Sequence, residues 1–246
     1  MQRRFLITKK ERDIASFKTP NLRNVDEAIN HNVTRTARVS QRRRDLLAYG
    51  LLLVAPALPA SAAAEAADAG VARIRQFYDA LLIVMKEARS LGIRGRYEKL
   101  APTIRDAFDL SAMIRIAVGP EWNSIAPEQR AALTEGFERM TIATYANRFD
   151  GYSGERFEVD PNAETRATGK IVHTKLIQSS GEPITLNYLV RGSGNDWKIV
   201  DVHLTGTISE LATRRSEFSA ILKSGGPNAL VESLRQQAEK LMRAPA

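Results

Sequence analysis

The spacing of apolar residues changes once near the middle of the chain, and this change constrains the fold more than any other feature. Before residue 150, apolar residues recur three and four positions apart, as on one face of an α-helix. Beyond the segment DGYSGE, residues 150–155, apolar and polar residues alternate, as in a half-buried strand. The helical spacing returns near Ile208. Helices, then strands, then helices again indicate an α+β protein.

The helical stretches have recognisable ends. Asp109 is placed to cap one helix, and Pro127 with Glu128 suits the first turn of another. Gly92 and Gly95 interrupt the first periodic stretch. We predict helices over residues 68–89, 97–108, 110–117, 126–149, 208–222 and 229–242.

The alternating part of the chain predicts four strands. Short connections with turn residues separate them, so neighbouring strands should be antiparallel. The predicted strands are Arg156–Asp160, Gly169–Gln178, Ile184–Gly192 and Trp197–Leu204. Alternation places two apolar sets on one face of the sheet, namely Ile184, Leu186, Tyr188 and Val190, and Val200, Val202 and Leu204. The expected fold is a four-stranded antiparallel sheet with helices packed on one face.

Residues 42–64, RRRDLLAYGLLLVAPALPASAAA, have the order of parts of a secretory signal peptide. Three arginines precede a short apolar run, and small residues suited to cleavage near Ala62 or Ala64 follow it. The run Leu46–Leu58 is shorter than the roughly 20 residues that a membrane-spanning helix needs. Its two prolines argue against the alternative of a buried N-terminal helix.

The signal segment divides the chain into three parts. Residues 1–41 are predicted to be a non-structural extension or the product of a start codon assigned too far upstream, and residues 42–64 to be the signal peptide. Residues 65–246 are predicted to be one folded domain that reaches the periplasm by the Sec or the twin-arginine route. No second apolar run approaches membrane-spanning length, so we expect no stable membrane insertion.

The positive charge of the chain is concentrated in its N-terminal part. The whole chain has a formal net charge of +8, but residues 1–64 account for +7 and residues 65–246 for +1. A nucleic-acid surface needs a basic stripe on the folded domain, and this domain is nearly neutral. We therefore expect no nucleic-acid partner.

Few residues suit catalysis or metal binding. The chain has no cysteine, which excludes disulfides and thiolate chemistry. His173 and His203 stand alone rather than in a metal-ligand spacing, so we expect no metal and no cofactor. Asp201 and His203, two apart on one strand, could form a general base. The alternative is ordinary polarity on the outer face of the sheet.

The predicted helix over 126–149 has a broad apolar stripe that includes Phe137, Met140, Tyr145 and Phe149. Such a stripe can be core or the wall of a ligand pocket, and composition does not distinguish the two. Arg148, Arg214 and Arg215 could bind an anionic head group. Alternatively, they are solvated helix charges.

Four segments, in order, resemble the MlaC family, also called the toluene-tolerance auxiliary proteins. They are FDLSAMIRIAVGPEW (Phe108–Trp122), APEQR (Ala126–Arg130), TYANRFDGYSGERFEV (Thr144–Val159) and the stretch from WKIVDV to VESL (Trp197–Leu234). Within the family, RFDGYSGERF and LTGTISELATRRSEF look most like the hopanoid-associated HpnM branch. Arg214 departs from the pattern, because phospholipid-carrying members commonly have tyrosine there.

The resemblance implies an NTF2-like or MlaC-like fold whose sheet and helices enclose an apolar cavity for lipid acyl chains. The helix stripe would form one wall of that cavity and the apolar face of the sheet the other. The predicted lipid-binding wall residues are Phe137, Met140, Tyr145, Phe149, Leu186, Tyr188, Val190, Val200, Val202 and Leu204.

The sequence is therefore interpreted as a soluble, monomeric periplasmic carrier that shuttles a lipid, either a hopanoid or a phospholipid, between membrane components. The resemblance implies an inner-membrane transporter of the RND or ABC type as its partner. Two alternatives stay open: a small periplasmic enzyme with an Asp201/His203 base in the cavity, and a transporter adaptor without cargo.

Overall fold

Helices precede and follow a seven-stranded sheet in the structure, a computed structural model that describes residues 68–179 and 182–243. The α+β class and the antiparallel sheet expected from the sequence are confirmed. The predicted extension and signal peptide, residues 1–64, lie outside the described residues.

Five helices surround the sheet, and capping aspartates open two of them. The Asp68 carboxylate accepts hydrogen bonds from the backbone N–H groups of Gly70 and Val71, and Asp109 accepts one from Ala112. The Asp109 cap predicted from the sequence is confirmed. The helices are α1 (Ala69–Lys86), α2 (Ala88–Ala107), α3 (Leu110–Val118), α4 (Pro127–Arg148) and α5 (Glu210–Arg243), and a 3-10 turn (Gly119–Ser124) follows α3.

Two of these helices are kinked at glycine. Gly92 in α2 has φ 58° and Gly226 in α5 has φ 70°, which is backbone that residues with a Cβ rarely adopt. The predicted break near 92–95 and the predicted division of the last helical stretch correspond to these kinks. Gly95 does not interrupt α2, because the helix resumes directly after Gly92.

The central strand of the sheet, Ile184–Ser193, pairs with Gly169–Val172 and Thr174–Ile177 along one edge and with Asp196–Leu204 along the other. All named strand pairs are antiparallel. The strands are β1 (Arg156–Val159), β2 (Glu164–Arg166), β3 (Gly169–Val172), β4 (Thr174–Ile177), β5 (Ile184–Ser193), β6 (Asp196–Leu204) and β7 (Ile208–Ser209).

The predicted number of four strands is wrong, for two physical reasons. The stretch expected to be one strand over 169–178 divides at His173, because the N–H of Thr174 bonds to the Asn187 side chain instead of a strand carbonyl. Two short edge strands, β2 and β7, were also not predicted. Ile208–Ser209, expected to begin the helix over 208–222, pairs with β6 instead.

The core lies between the helices and one face of the sheet. Tyr188, Val190 and Ile199 on the sheet are almost fully buried, as are Ile74 and Leu81 on α1. The opposite face is covered where the turn after β6 crosses it, and there the Asn187 amide donates to the carbonyl of Gly206. Among the described helices, none is long and apolar enough to cross a membrane.

Candidate functional site

A cavity of about 120 Å³ lies between α4, the two central strands and the start of α5. Most of its lining is apolar, and charged side chains occur only among the residues of α4 and α5. The lining residues are Phe108, Met113, Phe137, Met140, Thr141, Thr144, Tyr145, Arg148, Phe149, Leu186, Tyr188, Val202, Leu204, Glu210, Leu211 and Arg214.

Helical spacing explains the α4 wall. Residues 137, 140, 141, 144, 145 and 148 lie three or four apart, so they project from one side of the helix. The hydroxyls of Thr141 and Thr144 donate to the carbonyls four residues earlier, Phe137 and Met140, across 2.8 Å in each case. The donor of each threonine is therefore satisfied within the helix, and this wall remains largely apolar.

Cross-strand pairing explains the sheet wall. Leu186 lies opposite Leu204, and Tyr188 opposite Val202, so two residues from each strand meet on the same face. The backbone hydrogen bonds of the β5–β6 ladder fix the positions of these four side chains.

An aromatic cluster surrounds Tyr145 in the cavity wall. The ring of Tyr145 packs edge-on against Phe77 and Phe108, with centroids 5.5 and 5.6 Å apart, and stacks on Phe149 at 5.7 Å. Such edge and offset contacts are the favourable geometries for aromatic rings. The cluster therefore stabilises this part of the cavity wall.

Three tyrosine hydroxyls are buried beside this cluster. The hydroxyls of Tyr78 and Thr174 lie 2.6 Å apart, and Thr174 in turn donates to the carbonyl of Leu186. Burial raises the pKa of Tyr78, Tyr145 and Tyr188 above its usual value. These phenols are therefore neutral at ordinary pH and act as hydrogen-bonding groups rather than as bases.

The charged residues of the cavity lining are Glu210, Arg214 and Arg148. Nη1 of Arg214 donates to Glu217 across 3.1 Å and to Gln237 across 3.4 Å. Its Nε lies 4.0 Å from Oε2 of Glu210, and both side chains are 19% exposed. Arg148 is exposed, so the cavity reaches the surface where this residue lines it.

All predicted wall residues line the cavity except Val190 and Val200. A β-bulge accounts for Val200: Leu189 pairs with Asp201 but Val190 pairs with Ile199, which leaves Val200 as the extra residue of β6. Val190 shares the face of Tyr188 but lies farther along β5, where its Cγ2 would be 3.0 Å from a Cβ at Gly70 of α1. Both valines are buried, and neither lines this cavity.

The Asp201/His203 pair is not among the residues that line this cavity. Oδ2 of Asp201 accepts a hydrogen bond from the Ser209 hydroxyl (2.6 Å), and Oδ1 accepts one from the backbone N–H of Leu211 (3.2 Å). His203 Nε2 lies 3.4 Å from the same carboxylate. Asp201 thus caps the start of α5, a structural role.

The three candidate arginines lie in different places. Arg148 and Arg214 line the cavity, and Arg215 does not. The guanidinium group of Arg215 lies over Gly119, where a Cβ would be 3.1 Å from its Nη2. The sequence did not predict that Glu210 and Leu211, at the start of α5, line the cavity.

A second depression, of about 440 Å³, lies along α5 and is lined by Gln236, Glu239, Lys240 and Arg243. Its lining comes from one helix alone. A ligand there would keep much of its surface in water, so this depression is a weaker binding site than the cavity.

Comparison with known proteins gives a family and a fold. The sequence model of the family described as MlaC protein matches residues 75–236. A solved structure of the phospholipid-binding protein from Ralstonia solanacearum, in complex with a phospholipid, is similar to this chain with a TM-score of 0.62 and 24% identity. The similarity covers 71% of this chain and 99% of the other. No curated protein sequence matches this chain.

Proposed function

This chain belongs to the MlaC family, and on that premise we propose that it is a periplasmic lipid carrier whose cargo is a phospholipid. The observation that supports the proposal best is the cavity itself. Its lining along α4 and the sheet is mostly apolar, and its charged lining residues are Arg148, Glu210 and Arg214. That arrangement suits a molecule with an apolar tail and a polar head.

The energetics favour such a carrier without any covalent chemistry. Each methylene group that leaves water for an apolar site gains about 0.8 kcal/mol. A tail of a dozen or so methylenes therefore has a strong preference for an enclosed apolar cavity over water. The polar head would stay near Arg148 and Arg214, where the cavity reaches the surface.

The size of the cavity requires that it widen when lipid enters. Ligand pockets usually measure about 300–1,000 Å³, whereas this cavity measures about 120 Å³. The β5–β6 wall is fixed by a backbone ladder, whereas the α4 and α5 walls are held by side-chain packing. We expect the helices to move apart and the sheet to stay in place.

Export and partners belong to the same proposal. The signal-like residues 42–64 support a periplasmic location, and the family resemblance supports an inner-membrane transporter of the ABC or RND type as partner. The Asp201 cap and the lining of the cavity remove the geometric reason for the enzyme alternative.

Lipid mass spectrometry of the purified protein tests the proposal. The protein would be isolated from periplasm, extracted with organic solvent and compared with a mock purification. We expect about one lipid per protein molecule, and the spectrum also distinguishes phospholipid from hopanoid. Leu186→Arg and Phe137→Arg place a charge in the cavity and should abolish recovery of the lipid.

Ile83→Arg is the matched control, because Ile83 is 50% exposed on α1 and lies outside the cavity lining. It should keep the full lipid load. Circular dichroism would show whether each variant is folded. Full occupancy in the folded Leu186→Arg and Phe137→Arg proteins, or no lipid in the wild type, would contradict the proposal.

A further inference from the structure

One carboxylate oxygen of the cavity-lining residue Glu210 has no hydrogen-bond partner among the described residues. Oε1 of Glu210 is buried and accepts no hydrogen bond from any described residue. A carboxylate oxygen that leaves water without a donor destabilises the protein, by about 1–3 kcal/mol or more when it is charged. An unpaired acceptor in a cavity wall therefore indicates a missing ligand group.

The neighbours of Glu210 do not supply the donor. Nη1 of Arg214 is engaged by Glu217 and Gln237. Nε of Arg214 is 4.0 Å from the other carboxylate oxygen, Oε2, which is an ion pair without a hydrogen bond.

We propose that the cargo supplies the missing donor, and that Glu210 selects lipids whose head group carries an N–H or O–H. This inference rests on the proposed carrier function and specifies the chemistry of its cargo. Arg148 and Arg214 line the same cavity and would attract the phosphate of that head group. The site thus offers positive charge for a phosphate and an acceptor for a donor-bearing substituent.

A comparison of phosphatidylethanolamine with phosphatidylcholine tests whether the protein recognises a hydrogen-bond donor on the head group or only the charge of the head group. Both head groups are zwitterionic, but the ammonium group has three N–H donors and the trimethylammonium group has none. The N,N-dimethyl derivative of phosphatidylethanolamine keeps one N–H at nearly the bulk of choline. Selection by donor therefore groups the dimethyl lipid with phosphatidylethanolamine, and selection by size groups it with phosphatidylcholine.

The experiment is a competition. Delipidated protein is incubated with vesicles that contain the three lipids with identical acyl chains in equal amounts, and the lipid recovered with the protein is quantified. For the wild type we expect about a tenfold preference for the two donor-bearing lipids over phosphatidylcholine, the factor that corresponds to about 1.4 kcal/mol. Glu210→Gln should reduce this preference to within about twofold.

Glu217→Gln is the matched control. Glu217 pairs with the same Arg214 but does not line the cavity, so this variant should keep the wild-type preference. Equal recovery of all three lipids by the wild type, or an unchanged preference in Glu210→Gln, overturns the donor inference alone. Recovery of none of the lipids by the wild type overturns the carrier function and this inference with it.

Discussion

Asp201 on β6 accepts a hydrogen bond from the backbone N–H of Leu211 across 3.2 Å, so a carboxylate of the sheet caps the helix that follows it. The same carboxylate accepts from Ser209, whose hydroxyl oxygen in turn accepts from the N–H of Ala212 at 2.9 Å. Two orphan donors of the first turn of α5 are satisfied in this way. The cap holds the start of α5, and with it Glu210 and Arg214, against the sheet.

Asp201→Ala should therefore lower the free energy of unfolding by about 2 kcal/mol, near the upper end for loss of a helix cap. Urea unfolding followed by circular dichroism measures the change. His203→Ala should cost less than Asp201→Ala and leave lipid recovery unchanged, because the His203 side chain is partly exposed, at 23%, and does not line the cavity. Loss of lipid transfer in a folded His203→Ala protein would revive the general-base hypothesis.

The sequence predicts much of the cavity because its two walls follow the two simplest periods. Helical spacing places Phe137, Met140 and Tyr145 on one side of α4, and strand alternation places Leu186 and Tyr188 on one face of β5. Both patterns are local, so each wall is visible before the fold is known.

The remaining features depend on contacts between distant segments. The bulge that leaves Val200 out of the alternation is a property of the β5–β6 pairing, and nothing in either strand alone marks it. Phe108 and Met113 reach the cavity because α2 and α3 pack beside α4. From the sequence, Glu210 is an ordinary residue of the first turn of a helix. Only the three-dimensional structure shows that one of its carboxylate oxygens has no hydrogen-bond donor among the described residues.

Arg96 joins two helices from a buried position. Its Nε donates to the carbonyl of Ala146 in the last turn of α4 at 2.8 Å, and its Nη1 donates to the carbonyl of Ala88 at 3.1 Å. Burial lowers the pKa of Arg96, and the charge of Asp150 opposes that shift. The guanidinium group satisfies a carbonyl that the end of α4 would otherwise leave without a donor.

Arg96→Met should accordingly destabilise the protein by about 3 kcal/mol, since it leaves two buried carbonyls without these donors. Arg94→Met, at an exposed position of the same helix, should change the stability by less than about 0.5 kcal/mol. Chemical denaturation of both variants provides the comparison. Similar midpoints for the two would show that Arg96 does not join the helices energetically.

Gly192 occupies the β5–β6 hairpin where no Cβ fits. Its φ is 155°, and a Cβ there would collide with the carbonyl oxygen of Asp196 and lie 2.7 Å from Cα of Trp197. Gly192→Ala should therefore cost more than about 3 kcal/mol, because backbone rather than a flexible side chain must move.

Gly194 in the same hairpin allows the cost of backbone strain to be measured without the cost of a steric clash. Its φ is 54°, but a Cβ there would meet nothing within 4 Å. Gly194→Ala should cost only about 1–2 kcal/mol. Thermal unfolding of the two variants checks the order, and an equal loss would mean that strain alone accounts for both.

The buried tyrosines predict a loss of stability in alkaline solution. Burial raises the pKa of Tyr78, Tyr145 and Tyr188, whereas the unfolded chain releases these protons near pH 10. Below about pH 10 both states hold the protons, and the contribution to stability is constant. Above it the unfolded state loses protons that the folded state retains, so the free energy of unfolding falls by about 1.4 kcal/mol per pH unit for each tyrosine.

Urea unfolding at a series of alkaline pH values measures this slope. Tyr145→Phe removes one of the three groups and should give a shallower decline than the wild type. Tyr152→Phe is the control, because Tyr152 is 43% exposed, and it should leave the slope unchanged. A slope in Tyr145→Phe identical to that of the wild type would contradict the prediction.

An apolar substitution that fills the cavity should reduce lipid binding without reducing the stability of the fold. Thr144 lines the cavity and its hydroxyl bonds only to its own helix, at the carbonyl of Met140. In Thr144→Phe a phenyl ring would occupy part of the 120 Å³ and compete with the lipid tail. We expect lipid recovery to fall by at least about tenfold, which corresponds to about 1.4 kcal/mol, while the melting temperature stays the same or rises.

Thr134→Phe is a matched substitution on the same helix. Thr134 makes the equivalent hydrogen bond, 2.9 Å to the carbonyl of Arg130, but it does not line the cavity. It should keep its lipid, and mass spectrometry of both purified variants gives the comparison. If both variants kept their lipid, the tail would have to lie elsewhere than between α4 and the sheet. If both lost it, a general change in α4 rather than a filled cavity would be responsible.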